Sequence, residues 1–332
     1  MTHEATMVMA PGALLALYRT MMRIRICEES LVEPILSGEI KTPCHLCTGQ
    51  EAIAAGICSA LESTDYIWGN HRSHGHFLAK GGSMKELVAE IYCRRTGCSY
   101  GLGGSMHITD PGVGMLGSAP IVAGTISLAL GSALASSICK DGRVTVSFFG
   151  DGAAGEGVLY EALNFAALRF LPIIFVCENN FYSTHLPIRE CHPDRPIAEI
   201  AKPFGVWSDT VDGNDVLRVA LVAQEAVARC RAGDGPAFLE FETYRMRGHV
   251  GPDDQIQGTH KDIRPDEEVE QWRARDPILG LERELLRRNV VSTVEVASIT
   301  REIEKEVADA HCFARESAAP ASEELRRYVF AS

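Results

Sequence analysis

Asp151 and Asn180 are the two residues whose type and spacing point most directly to chemistry in this 332-residue chain. Val144–Phe149 reads as an apolar strand that ends in Gly150-Asp151-Gly152. A helical segment runs from about Val158 to Phe170. A second apolar strand, Ile173–Cys177, then ends in Glu178-Asn179-Asn180. The helix runs back roughly 20 Å at about 1.5 Å per residue, and the strand returns roughly 17–20 Å at about 3.3 Å per residue. Asp151 and Asn180 are therefore expected at one carboxyl edge of a parallel sheet, where such sheets bind ligands. Glycines at 150 and 152 let a phosphate approach the backbone, and the helix amino end favours an anion. An aspartate beside a diphosphate is repulsive unless a divalent cation lies between them. Asp151, Asn180 and a nearby carbonyl are hard oxygen donors that suit Mg²⁺ with phosphate oxygens and water.

The same turn also fits G-x-G-x-x-G over Gly150–Gly155, with Glu178 near the place of a ribose-binding acid. A nicotinamide dehydrogenase is thus a formal alternative. An aspartate inside the phosphate turn has no role there without a metal, and neither has the Asn pair after Glu178.

These residues need a frame to hold them. Apolar strand candidates at 144–149, 173–177 and 237–241 alternate with helical patterns at 158–170 and 215–232. That alternation predicts an α/β fold: a parallel sheet with helices on both faces. Residues 12–36 read as an amphipathic helix stopped near Gly38. Residues 97–117 hold seven glycines and read as a loop against a ligand or subunit. Two polar segments, Ser183–Pro196 and Val250–Asp266, interrupt the alternation as functional or mobile loops. The division expected is a cofactor-binding α/β domain over 1–266 and a charged, helical carboxyl-terminal extension over 267–332.

Composition narrows the class. Hydrophobic residues make up 46% and charged residues 23%, which gives an ordinary globular chain with ample core. A net charge of −12 argues against nucleic acid or an anionic membrane surface as partner. The apolar run Ile121–Cys139 lacks a charge flank or aromatic belt and is not read as a membrane span. Its Gly124, Ser127, Gly131 and Ala135 share one helical face that permits close approach of a subunit. Eleven cysteines and no visible secretory signal fit a reducing compartment, the cytoplasm. Cys44 and Cys47 form a single C-x-x-C without a second pair to complete zinc, and read as small buried side chains.

The GDG turn followed after 26 residues by NN resembles the thiamine diphosphate signature. Further blocks carry the resemblance through most of the chain: Cys44-His45-Leu46-Cys47-Thr48-Gly49-Gln50-Glu51-Ala52, His71-Arg72-Ser73-His74-Gly75-His76, Gly103-Gly104-Ser105-Met106-His107 and Tyr244-Arg245-Met246-Arg247-Gly248-His249. Together they resemble the alpha subunit of the first component of 2-oxo acid dehydrogenase complexes, the family of the pyruvate and acetoin enzymes.

The resemblance implies a set of roles. Asp151, Asn180 and the carbonyl of Tyr182 would bind Mg²⁺. Gly150, Asp151, Gly152 and Ala153 would form the turn against thiamine diphosphate. Arg72 and His71 would face its diphosphate, and the backbone of Ile121 and Val122 would grip its aminopyrimidine ring. His74 would belong to the active site, and His249 would reach the diphosphate and substrate channel. The glutamate that activates the cofactor would come from a beta subunit in an α₂β₂ heterotetramer. The acyl fragment would pass to a lipoyl acyltransferase.

Departures from the pattern bear on the substrate. His71 replaces a Tyr common in the pyruvate enzymes. Ala119-Pro120 stands for the usual Asn-Gly, and Gly155-Glu156 for the usual Asn-Gln. Ser183–Pro187 is unlike the pyruvate enzymes. A two-component carboligase or transketolase-like enzyme acting on an aldehyde or sugar is the alternative that keeps the cofactor. A non-catalytic scaffold subunit is opposed by the intact metal set.

Overall fold

The computed structural model of the protein describes residues 9–252 and 264–328. Helix α1 (Pro11–Ser30) opens on a proline, which tolerates the first helical turn. Its Leu14, Leu17, Tyr18, Met21, Ile24 and Cys27 recur at helical spacing and are buried. The short α2 (Val32–Leu36) follows and stops at Gly38, whose φ of 74° suits a residue without a side chain. Then come α3 (Glu51–Ser59), strand β1 (Tyr66–Gly69), α4 (His74–Ala79) and α5 (Met84–Ile91). The glycine-rich stretch leads to β2 (Met115–Ser118), α6 (Gly124–Cys139), β3 (Thr145–Gly150), α7 (Gly157–Arg169) and β4 (Ile173–Asn179). A small antiparallel ribbon joins β5 (Tyr182–Ser183) to β6 (Leu186–Pro187). The chain ends with β7 (Trp207–Asp212), α8 (Val216–Ala232), β8 (Ala237–Glu242), α9 (Asp266–Arg273), α10 (Pro277–Arg287), α11 (Thr293–Glu316) and α12 (Glu324–Arg327).

Six strands form one sheet in the order β2-β1-β3-β4-β8-β7, every pair parallel. This is the predicted α/β architecture. The three strand candidates and both intervening helices lie where the sequence placed them, within a residue or two. Strand period sorts the core into two layers. Val144, Val146, Phe148, Ile174 and Val176 point into a core shared with α1, α3, α5, α8, α10 and α11. Phe149, Ile173, Phe175, Cys177 and Phe238 point to the other face, covered by α6, α7 and the 3₁₀ turn Ile197–Phe204. The carboxyl-terminal helices belong to the first layer: Leu281, Leu285, Ile299, Ile303 and Val307 are buried in the same core as α1.

The second layer is thinner, and its outer surface stays apolar. Leu128 and Ile138 of α6, and Leu168 and Phe170 at the end of α7, are all more than half exposed. The face carrying Gly124, Ser127, Gly131 and Ala135 lies on this outer side. Among the described residues, no helix is long and apolar enough to cross a membrane.

One buried carboxylate orders the glycine-rich loop. Glu90 Oε2 accepts the N–H groups of Ser99 and Gly101, both at 2.8 Å, and Oε1 those of Gly103 and Gly104 at 2.8 and 2.9 Å. Gly101 and Gly104 have φ of 73° and 61°, so the turn that aims these amides inward favours residues without a side chain. Hydrogen bonds to a charged group contribute about 1.5–3 kcal/mol each. Glu90→Gln keeps the shape but replaces a four-bond acceptor by an amide that brings its own donors. It is expected to cost about 2–4 kcal/mol in chemical denaturation and to release amide exchange protection in this loop. Unchanged stability and protection would show the loop is held by packing instead.

Candidate active site

The carboxyl ends of β1, β2, β3 and β4 meet at one cavity that opens to solvent. The chain crosses from β1 to β2 on one side and from β3 to β4 on the other, so the cavity sits at the sheet's switch point, where open α/β sheets bind ligands. Strand register explains why Asp151 and Asn180 arrive together. Gly150 pairs with Glu178, so the residues just beyond both strands lie at the same edge.

Asp151 is almost wholly buried. Its Oδ1 accepts the Gly152 N–H at 2.9 Å, while Oδ2 is buried with no hydrogen-bond partner. Burial pushes its carboxyl up from 3.8 to about 6, held back by the Gly152 amide and by the Arg245 charge. The Asn pair divides its work. Asn179 Nδ2 donates to Glu240 at 2.8 Å, and its Oδ1 accepts the Phe181 N–H, so this side chain fastens the strand end. Asn180 faces the cavity, donates to Gln50 Oε1 at 3.4 Å and accepts the Tyr182 N–H at 3.3 Å. Tyr182 lines the same cavity, and its hydroxyl donates to Glu268 at 2.9 Å. At Gly152 a Cβ would stand 2.4 Å from Ser183 Oγ, so that hydroxyl would have to turn away to admit a side chain. An orphaned, desolvated carboxylate oxygen among carbonyl and amide oxygens is the donor set that a hard divalent cation fits.

Above this edge stand the cations and imidazoles. Arg72 is buried, donates to the Leu46 carbonyl at 2.5 Å and to the His249 carbonyl at 3.1 Å, and brings Nη2 to 3.5 Å from His249 Nδ1. Burial lowers its guanidinium to about 10, so it stays charged at neutral pH. His71 and His249 both line the cavity. Burial, then the Arg72 charge, holds the imidazole of His71 down to about 3 and that of His249 to about 2. Both rings are therefore neutral. Ile121 and Val122 border the opposite side, 72% and 53% exposed, with the next residue, Ala123, at φ 61°.

The His249 loop is pinned from several directions. Met246 N–H donates to the Thr48 carbonyl at 2.9 Å, Gly251 N–H to the Cys44 carbonyl at 2.7 Å, and Arg245 Nη2 to the Thr184 carbonyl at 2.9 Å. Arg247 pairs with Glu29. Most of the segment read as a functional or mobile loop, residues 253–263, lies outside the described residues.

His74 is set behind the cavity, not in it. It is fully buried, with Nδ1 at 2.6 Å from Glu28 Oε1 and Nε2 at 2.8 Å from Ser105 Oγ. Neither ring nitrogen is left to face a ligand. His76 is likewise interior, stacked on Phe148 and bonded to Glu178 at 3.1 Å. Glu178 lines the cavity, yet its oxygens are met by His76 and, at 3.5 Å, by Asn70 Nδ2. Sequence reasoning passed over three residues as contributors: Gln50, which meets Asn180; His45, whose ring lies 4.6 Å from that of His71; and His185, 6.0 Å from His249. Their only signal was membership in blocks already singled out for other positions.

A family profile described as "Dehydrogenase E1 component" matches residues 19–323. The chain belongs to the dehydrogenase E1 component family. The alpha subunit of acetoin:2,6-dichlorophenolindophenol oxidoreductase from Bacillus subtilis is 38% identical over 316 residues, covering 95% of this chain and 93% of that protein. The pyruvate dehydrogenase E1 component alpha subunit of Porphyra purpurea is 38% identical over 327 residues, covering 96% and 93%. That of Zymomonas mobilis is 37% identical over 313 residues, covering 94% and 87%. The E1 family uses thiamine diphosphate. Membership sets aside the nicotinamide reading of the glycine turn.

The raised carboxyl of Asp151 has a signed consequence. Its folded pKa lies above the unfolded value, so the proton it keeps favours the native state below pH 3.8. That contribution is lost as pH rises through about 6. Asp151→Asn in the cation-free chain is therefore expected to raise stability at neutral pH by about 1–3 kcal/mol, with no gain near pH 4. Denaturation curves at the two pH values decide it. A variant less stable than wild type at pH 7 would mean that the carboxylate already has a compensating partner.

Proposed function

We propose that this E1-family chain is the alpha subunit of a two-chain, thiamine diphosphate- and Mg²⁺-dependent 2-oxo acid dehydrogenase of the pyruvate or acetoin type. It would decarboxylate a small 2-oxo acid and pass the acyl fragment to a lipoyl group. The observation that carries the reading is the desolvated, unpartnered Asp151 Oδ2 beside Asn180 at the sheet's switch point.

Bound there, the cofactor supplies an electron sink for cleavage of a carbon–carbon bond next to a carbonyl. The chain's own residues do the rest. Asp151, Asn180 and the Tyr182 carbonyl hold Mg²⁺, and Gly150, Gly152 and Ala153 admit the diphosphate to the backbone. Arg72 supplies a fixed positive charge toward that diphosphate, and His71 an uncharged imidazole N–H. The backbone at Ile121 and Val122 bounds the aminopyrimidine end. His249 is the neutral imidazole at the wall, placed to hydrogen-bond the reacting oxygen. His74 positions: through Glu28 and Ser105 it ties α1 and the glycine-rich loop to the segment that carries Arg72.

A partner must complete the site. Glu178 has both oxygens engaged, so the activating carboxylate is assigned to a beta subunit. The exposed apolar residues of α6 and α7 offer surface for an α₂β₂ assembly. We place the enzyme in the cytoplasm with a lipoyl acyltransferase as its acceptor. His185 beside His249 favours one second reading, a carboligase whose polar mouth receives an aldehyde or sugar in place of the lipoyl arm.

The test is co-expression with a beta chain and assay of pyruvate decarboxylation, with a lipoyl domain or an aldehyde as the alternative acceptor. The pair is expected to turn over at roughly 1 s⁻¹ or faster, to lose activity in EDTA and to regain it with Mg²⁺. The alpha chain alone should be inert. Turnover at that rate by the alpha chain alone would overturn the two-chain assignment.

A further inference from the structure

Tyr182 and Ser183, the two residues of β5, are held at the edge of the cavity between two strained neighbours. Phe181 and Thr184 lie at φ of 66° and 58°, in the left-handed region that costs a residue with a side chain, and a β-branched one most. The fold fixes both. Phe181 N–H donates to Asn179 Oδ1 at 3.1 Å, and its carbonyl accepts the Ile188 N–H at 2.9 Å. The Thr184 carbonyl accepts Arg245 Nη2 at 2.9 Å. Strand alternation turns the two side chains between them to opposite faces of the ribbon. The Tyr182 hydroxyl reaches Glu268 of α9, and Ser183 enters the cavity.

There the Ser183 hydroxyl stands against Gly152, where it is the first atom that an added Cβ would meet. Among the described residues it makes no hydrogen bond. A diphosphate laid on this turn needs donors, and the turn is short of them, because the Gly152 N–H is already spent on Asp151 Oδ1. A hydroxyl supplies a donor without adding charge, and it rotates to suit its acceptor. We propose that Ser183 is a further diphosphate-binding residue, whose hydroxyl donates to a phosphate oxygen of thiamine diphosphate. The inference rests on the cofactor reading of the cavity given above. Because Ser183 follows Tyr182 directly, the strained segment presents two groups at once. The Tyr182 carbonyl serves the cation, and the Ser183 hydroxyl serves the anion that the cation attracts.

The experiment uses the assembled alpha and beta chains, freed of cofactor, with Mg²⁺ present. Isothermal titration calorimetry reads binding, first of thiamine diphosphate and then of inorganic pyrophosphate, which carries no ring. No turnover is needed. Ser183→Ala should weaken both ligands roughly tenfold or more, the loss expected for a hydrogen bond to a charged group. The cofactor-free variant should keep the circular dichroism and thermal unfolding of wild type, since the hydroxyl holds nothing in the protein. Unchanged affinity in Ser183→Ala would overturn the proposal. So would a loss for thiamine diphosphate with none for pyrophosphate, which would take the hydroxyl away from the phosphates. A wild-type assembly that binds neither ligand would count against the cofactor reading itself and carry this proposal down with it. Tight wild-type binding with an indifferent variant would count against Ser183 alone.

Discussion

A carboxylate oxygen stripped of water and left without a hydrogen-bond donor is the constraint on which this structure turns. Asp151 Oδ2 lies at the end of β3, inside a sheet whose strand ends converge on one cavity. A lone desolvated carboxylate is unfavourable, as its carboxyl pKa of about 6 registers. The Gly152 amide on Oδ1 and the Arg245 charge relieve part of that cost. On the proposed reading a divalent cation would relieve the rest, and a cation held by one carboxylate, one amide oxygen and one carbonyl would keep enough charge to attract an anion. The one desolvated oxygen would thus call for both the metal and the diphosphate of the proposed function.

The scaffold reads as a means of holding that arrangement. Asn179 and Glu240 lock the end of β4, so Asn180 is presented without freedom to swing away. Arg72 is held by two backbone carbonyls rather than a carboxylate partner, which leaves its positive charge uncancelled for a ligand. Glu28 bridges α1, the Cys47 amide and His74, and so couples the first helix to the wall behind Arg72. Buried Glu28 and Glu240 gather donors from segments distant in sequence, and buried Glu90 gathers those of the glycine-rich loop. Loops at the site are therefore rigid where polar networks reach them.

How much of this was legible beforehand depended on the range of the signal. The β3–α7–β4 unit was clear because strand, turn, helix and strand are contiguous and strongly apolar, and register then put Asp151 beside Asn180. Strands β1 and β2 were missed: each spans four residues, too few for a period to declare itself. β7 was missed because Trp207–Asp212 is largely polar and sits at the sheet edge. The carboxyl-terminal helices were foreseen as helical, but not that Ile299, Ile303 and Val307 enter the main core, since a helix's partner is a long-range fact. His74 looked as available as His71, whereas His76 already read as structural. Only packing reveals that Glu28, Ser105 and Glu178 occupy their nitrogens.

The central claim, that Asp151 seats a divalent cation against the cofactor's diphosphate, is tested most directly by ³¹P NMR of thiamine diphosphate bound to the assembled alpha and beta chains with Mn²⁺ in place of Mg²⁺. The account predicts that both phosphorus resonances broaden severely in wild type. With Asp151→Ala they should broaden no more than for the free cofactor and Mn²⁺ at the same concentrations. Equal broadening in the variant, or a bound cofactor whose phosphorus lines stay sharp in wild type, would contradict it.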